Sequence, residues 1–150
     1  MIQTQTKISI KDNSDFLQGQ CINFSQKNTK KAAKIGNCVK VSISKIKSTF
    51  GKKPQGRAYS GHIANIKKNS LQDLLIVQMK TPIYRKDGST VQFYSNSGVC
   101  IVFKKAGAKK QHQLAFKRIN TTVPFELKNK IYAQQFKAAY NVIKVAKNLL

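Results

Sequence analysis

The sequence predicts a mainly β fold with a projecting β-hairpin and a short α-helical C-terminal part. Three observations carry that prediction. Asp87-Gly88 stands between two runs of β-branched and aromatic residues, the strongest short-range signal for a hairpin. Cys38 to Ile46 carries the cleanest period of two in the chain, with Val39, Val41 and Ile43 on one face and Lys40, Ser42 and Ser44 on the other. That is the period of a half-buried strand. Pro124 then precedes a stretch in which Leu127, Ile131, Ala138 and the rings of Tyr132, Phe136 and Tyr140 recur at spacings of three and four. Proline's missing N–H costs nothing at the first position of a helix.

In chain order, Gln3 to Ile10 places Thr4, Thr6, Ile8 and Ile10 on one parity and reads as a half-buried strand. Lys11 to Asp15 is a turn cluster, because Asn and Asp side chains bond their own backbone. Gln20 to Phe24 is a second short strand. Residues 25–34 form a polar loop carrying Lys27, Lys30, Lys31 and Lys34, and Ile35-Gly36-Asn37 turns the chain into the strand at Cys38. Lys45 falls near the end of that strand, and Lys47 opens the next segment. Residues 47–69 interleave Lys52, Lys53, Arg57, Lys67 and Lys68 with Phe50, Tyr59 and His62. They read either as a disordered connector or as a basic extension that orders on RNA; Ile63 and Ile66 favour the second reading.

Leu74 to Lys80, and Ser89 to Tyr94 continuing into Gly98 to Phe103, are the two arms of the hairpin. Both central turn positions are expected at positive φ, with Arg85 and Lys86 held out at the tip. Lys104, Lys105, Lys109 and Lys110 lie in an exposed basic loop over 104–110, and Leu114 to Ile119 reads as a short strand. Val142 to Val145 is β-branched, and periodicity leaves open where the helix gives way to a strand.

Charge is the dominant compositional fact. The chain has 150 residues, 28 basic against 5 acidic side chains and a net charge of +23. Phe16 to Gln72 holds twelve basic residues and no acid, and Gly88 to Phe125 holds no acid. A solvated surface normally mixes both signs. A polyanion accounts for the excess, since each neutralised phosphate releases a counterion. With 41% hydrophobic residues the chain can bury a core as one domain over 1–150. No membrane partner is expected: there is no apolar run of about eighteen residues and no lipidation signal or concentrated amphipathic helix.

Cys21, Cys38 and Cys100 are odd in number, far apart and set in apolar runs, so buried thiols are expected rather than disulfides or metal ligands. Asp12, Asp15, Asp73, Asp87 and Glu126 each sit at a turn or helix start. Without an acid pair, metal cluster, nucleophile elbow or phosphate loop, no catalytic residue, cofactor or metal is expected. A free OB-type RNA-binding protein or RNA chaperone is the rival reading. It would need rings grouped on one sheet face, and here they are scattered.

The opening Met1-Ile2-Gln3-Thr4-Gln5-Thr6, then Asp12-Asn13-Ser14, Cys21-Ile22 and the ungapped register from Ala33 to Lys45 resemble the L-fourteen family of large-subunit ribosomal proteins. Arg85-Lys86-Asp87-Gly88-Ser89 with Phe93 is similar to that family's second signature, and Arg118-Ile119 with Glu126-Leu127 to its C-terminal segment. The resemblance implies a small closed five-stranded, OB-like β-barrel, with a basic insertion at about 49–73 and a helical or extended C-terminus at about 124–150. It implies binding to large-subunit ribosomal RNA, contact with neighbouring large-subunit proteins, and a place at the intersubunit face, with bridges to small-subunit ribosomal RNA. It also implies a site for a ribosome-silencing factor.

Carried over by position, RNA contacts fall on Lys30, Lys31, Lys34, Lys40, Lys45, Arg85 and Lys86, and a protein-facing segment on Lys117 and Arg118. The basic loops at 27–34, 45–57, 85–86 and 104–110 extend the RNA set to Lys27, Lys47, Lys52, Lys53, Arg57, Lys104, Lys105, Lys109 and Lys110. Three departures stand out: Asp15 for the usual Gly, Lys86 for the usual Pro, and Asn120-Thr121-Thr122 for Gly-Pro. Lys, Asn and Ile supply 51 residues and Arg only three, the mark of A/T-rich codons. With no leader-like sequence before the family's own start, the expected setting is the ribosome of the mitochondrial matrix, with bacterial cytoplasm or plastid as alternatives.

Overall fold

The structure, a computed structural model, describes residues 1–24, 32–47, 68–106, 109–115, 118–128 and 137–150. Five strands make the wall of a barrel: β1 (Lys7–Ile10), β2 (Phe16–Phe24), β3 (Cys38–Ile46), β4 (Leu71–Gln78) and, after the short β5 (Ile83–Tyr84) and β6 (Thr90–Val91), β7 (Ser97–Ala106). Each pairs antiparallel with the next in the order β1-β2-β3-β4-β7. A parallel pairing of β1 with β7, Ser9 opposite Ser97 and Ile10 opposite Gly98, closes the ring. Closure leaves the wall without an open edge. This is the closed, five-stranded OB-like barrel that the resemblance implies.

The register follows the apolar pattern. Val39, Val41 and Ile43 of β3 are fully buried while Lys40 is exposed. β4 differs, because Leu74, Leu75, Ile76 and Val77 are all buried. A continuous apolar run suits a strand covered on both faces. β4 and β7 approach so closely at Gly98 that a Cβ there would lie 3.0 Å from the Leu75 carbonyl oxygen. Asp12 ties the β1–β2 turn to this seam: its carboxylate accepts the Ser14 N–H at 3.0 Å and the Cys100 N–H at 2.7 Å.

Past the barrel, β7 pairs with β8 (Lys109–Leu114) from Ile101 opposite Leu114 to Ala106 opposite Lys109. β9 (Ile119–Val123), a 3-10 turn over Phe125–Lys128, α1 (Lys137–Val145) and β10 (Ala146–Leu149) follow. β9 and β10 run parallel, with Ala146 opposite Ile119 and Leu149 opposite Val123. Leu127, Ala139 and Val142 are buried in the same apolar cluster as the barrel interior. Gln78 adds a polar tie, donating from Nε2 to the Thr122 carbonyl at 2.8 Å and accepting from the Ser97 hydroxyl.

Several expected boundaries move. The N-terminal strand is confined to Lys7–Ile10; Gln3 to Thr6 instead make a turn in which Thr6 N–H donates to the Gln3 carbonyl and Gln5 takes φ +67°. A period-two pattern cannot register such a reversal. The second strand starts at Phe16 rather than Gln20. The basic loop over 104–110 is strand on both sides of residues 107–108, and the strand expected over 114–119 divides into the end of β8 and the start of β9. Only Thr90 and Val91 of the second hairpin arm are strand before the chain leaves and re-enters at Ser97. Leu71 to Asp73 already belong to β4, and residues 48–67 of the basic insertion lie outside the described residues. The C-terminal helix gives way to strand after Val145. Cys21, Cys38 and Cys100 are buried thiols, as expected. Burial pushes the Cys38 and Cys100 thiols up, which keeps them protonated and unreactive.

Candidate nucleic-acid interface

The chain from residue 79 to 96 leaves the barrel between β4 and β7 and carries the hairpin tip. β5 and β6 pair through Ile83 with Val91 and Tyr84 with Thr90. At the tip, Arg85 N–H donates to the Ser89 carbonyl at 2.9 Å and Gly88 N–H to the Arg85 carbonyl at 3.1 Å. Gly88 takes φ +82°, whereas Asp87 is not among the residues at positive φ. The expectation of two positive-φ positions is therefore corrected. The hydrogen bonds and the single left-handed residue are those of a three-residue loop, a turn followed by a glycine bulge. A Cβ on Gly88 would meet nothing within 4 Å, so backbone conformation and not crowding calls for glycine there.

The Asp87 carboxylate accepts from the Ser89 N–H at 2.9 Å and the Ser89 hydroxyl at 2.7 Å. Those two bonds hold its carboxyl below the ordinary range, and Arg85 adds a smaller pull.

Adjacent cations at the tip have different fates. Arg85 Nε donates to Glu126 Oε1 at 2.5 Å, and its Nη2 donates to Glu126 Oε2 at 3.3 Å and to the Leu150 carbonyl at 2.9 Å. The fork matches a carboxylate bidentately, and Arg85 holds the Glu126 carboxyl below its usual value. Arg85 thus braces the hairpin to the C-terminal segment. Lys86 is exposed beside it.

The other sequence-selected cations spread over several faces. Lys34, Lys40 and Lys45 are exposed. Lys34 lines a cleft of about 440 Å³ with Met1, Ile35, Met79, Ile83 and Glu126. Lys40 stands opposite Asp73 in the β3–β4 register. Lys47 spends its ammonium on the Ser14 carbonyl at 2.8 Å. Lys105 falls directly opposite Lys110 in the β7–β8 register, and Lys104 and Lys109 flank that pair. Arg118 is exposed, and its carbonyl accepts the Asn13 N–H at 3.1 Å. Lys27, Lys30, Lys31, Lys52, Lys53, Arg57 and Lys117 lie outside the described residues.

Sequence reasoning missed three surface pairs of ring and ammonium. Lys80 Nζ lies 5.9 Å from the Tyr94 ring centre, Lys128 Nζ 5.1 Å from Phe125, and Lys144 Nζ 4.8 Å from Tyr140. The last two were legible as three- and four-residue spacings on helical turns. The Lys80–Tyr94 pair spans fourteen residues of sequence and left no local signal. No group of three His, Cys, Asp or Glu suited to a metal occurs among the described residues.

The acids are few, and three of them hold partners within the chain. Asp12 is buried on backbone N–H groups, Asp87 is tied to Ser89 and Glu126 to Arg85. Compared with known protein families, the chain matches the model described as Ribosomal protein L14p/L23e over residues 1–143, a span that takes in the barrel, the hairpin tip and most of α1.

Proposed function

Because the chain belongs to the ribosomal protein L14p/L23e family, and so is a structural protein of the large ribosomal subunit, we propose that it holds large-subunit ribosomal RNA through its exposed lysines. The observation that carries this reading is the disposition of charge. The five carboxylates are few against the cations; Asp12 is buried on backbone N–H groups, and Glu126 pairs with Arg85. The 28 basic side chains leave the surface strongly cationic. Lys34, Lys40, Lys45 and Lys86 meet phosphates, with the β7–β8 lysines as a second arm.

Phosphate contacts fix position and carry little sequence information; folded RNA shape supplies the specificity. Arg85 acts as a brace on the hairpin and not as a direct contact. The barrel sits at the intersubunit face, contributing bridges to small-subunit ribosomal RNA. Lys117 and Arg118 face a neighbouring ribosomal protein. A ribosome-silencing factor would meet the surface bearing Asn120, Thr121 and Thr122. The Lys, Asn and Ile bias fits the A/T-rich codons of an organellar genome and supports a mitochondrial ribosome, with a plastid or bacterial one as the alternative.

Sedimentation of a native organelle extract, probed for this chain before and after a high-salt wash, tests the reading. Retention in the large-subunit peak is expected. Release into light fractions would mean a peripheral electrostatic binder and favour a free RNA-binding protein.

A further inference from the structure

We propose that Tyr94, seated beside Lys80, is a stacking platform for an unpaired RNA base; this rests on the RNA-binding reading above. The ring is placed by its neighbours. Val91 and Phe93 turn inward and are buried, and Tyr94 on the opposite parity is 96% exposed. Its neighbours Gln92 and Asn96 are held by three hydrogen bonds. Gln92 Nε2 donates to the Lys80 carbonyl at 3.1 Å, Lys80 N–H donates to Asn96 Oδ1 at 3.0 Å, and Ser9 N–H donates to the Asn96 carbonyl at 2.9 Å. The ring is therefore carried on a segment tied to both β1 and the end of β4. A base that stacks on it pays little to order the protein.

Exposed apolar side chains scattered singly are ordinary. Of the three rings found beside an ammonium among the described residues, Tyr94 is the most exposed, against 53% for Phe125 and 47% for Tyr140. The Lys80 ammonium sits 5.9 Å from its ring centre, within cation–π range, and is placed to meet the phosphate of a stacked nucleotide. Tyr84, 78% exposed, adds a second ring on the outer side of the β5–β6 ribbon, next to the tip carrying Lys86. A protein partner fits less well. Interface hot spots sit in desolvated, apolar surroundings depleted of lysine, and Tyr94 is flanked by Lys80, Gln92 and Asn96. Every base has a π face, so such a platform tolerates sequence and selects for unpaired strands.

The chain contains no tryptophan, so a Tyr94→Trp variant of the full chain carries a single indole at the platform. Short single-stranded oligoadenylate should quench that indole, whereas heparin, a polyanion without bases, should bind without quenching it. A Tyr140→Trp variant on α1 should respond to neither. Tyr94→Ala should weaken oligoadenylate binding about fivefold or more, and Tyr94→Phe should keep it. Equal quenching by both probes, or by neither while the wild-type chain still binds large-subunit RNA, would overturn the platform and leave the RNA reading standing. Quenching only by neighbouring large-subunit proteins would also overturn it. Loss of RNA binding in the wild-type chain itself would overturn both.

Discussion

The barrel wall and the excursion over residues 79–96 are built from the same chain but held by different forces. In the wall, Ile8, Val39, Val41, Ile43 and Leu74 to Val77 are fully buried, and apolar burial sets the register. In the excursion, buried Met79, Val91 and Phe93 supply the apolar anchors. The remaining order comes from polar bonds: Ser89 on Asp87, Glu126 on Arg85, Asn96 on Lys80. Substitutions in the wall should therefore cost stability broadly. Substitutions in the excursion should change binding and pH response at little cost to the fold.

The largest expected effect lies in the wall. Leu74→Ala removes a fully buried side chain and should destabilise by about 2–5 kcal/mol. The signature is a lower urea midpoint at unchanged slope. Tyr84→Ala in the excursion, where the ring is 78% exposed, should cost no more than about 0.5 kcal/mol. Equal costs at the two sites would break the contrast.

The same contrast explains what could be read from the sequence. β3 was legible to the residue, because the alternation from Val39 to Ser44 admits one register. β4 was legible as an apolar run, and the Asp87-Gly88 turn from its residue types. Polar commitments were not legible. Arg85 and Glu126 are 41 residues apart, and no local pattern says that the guanidinium seeks a carboxylate rather than a phosphate. The three-residue form of the tip was missed because Asp-Gly serves two loop types that differ by one φ. Residues 104–110 looked like a loop because charge density masked their strand pairing.

A middle-sized effect tests the Arg85 brace. The Glu126 carboxyl is held below its ordinary value by the Arg85 hydrogen bonds. Its stabilisation is therefore complete above the unfolded value of about 4.3 and is lost as pH falls through the lower folded value. The pair is partly exposed, so no more than about 1 kcal/mol is expected. Urea midpoints followed from neutral pH down to about pH 3 should show a steeper acid loss for wild type than for Glu126→Gln or Arg85→Gln. Matching acid slopes would mean that the brace contributes nothing to folding.

The smallest effect is the most discriminating, because it has opposite signs in two readouts. Lys86 is the first central residue of the tip turn, a position that favours proline. The tip's backbone hydrogen bonds run through the N–H groups of Arg85 and Gly88, and Lys86 is exposed. Lys86→Pro should thus stabilise the chain by about 0.4–1 kcal/mol through the unfolded state. It also removes one cation, so the slope of log K against log salt for RNA binding should become shallower by roughly 0.7–0.9. Lys86→Gln should reproduce the salt effect without the gain in stability. A destabilised proline variant would refute the turn geometry. An unchanged salt slope in both variants would move the phosphate contact off the tip and onto the β7–β8 lysines, leaving the hairpin as a brace whose exposed end touches no RNA.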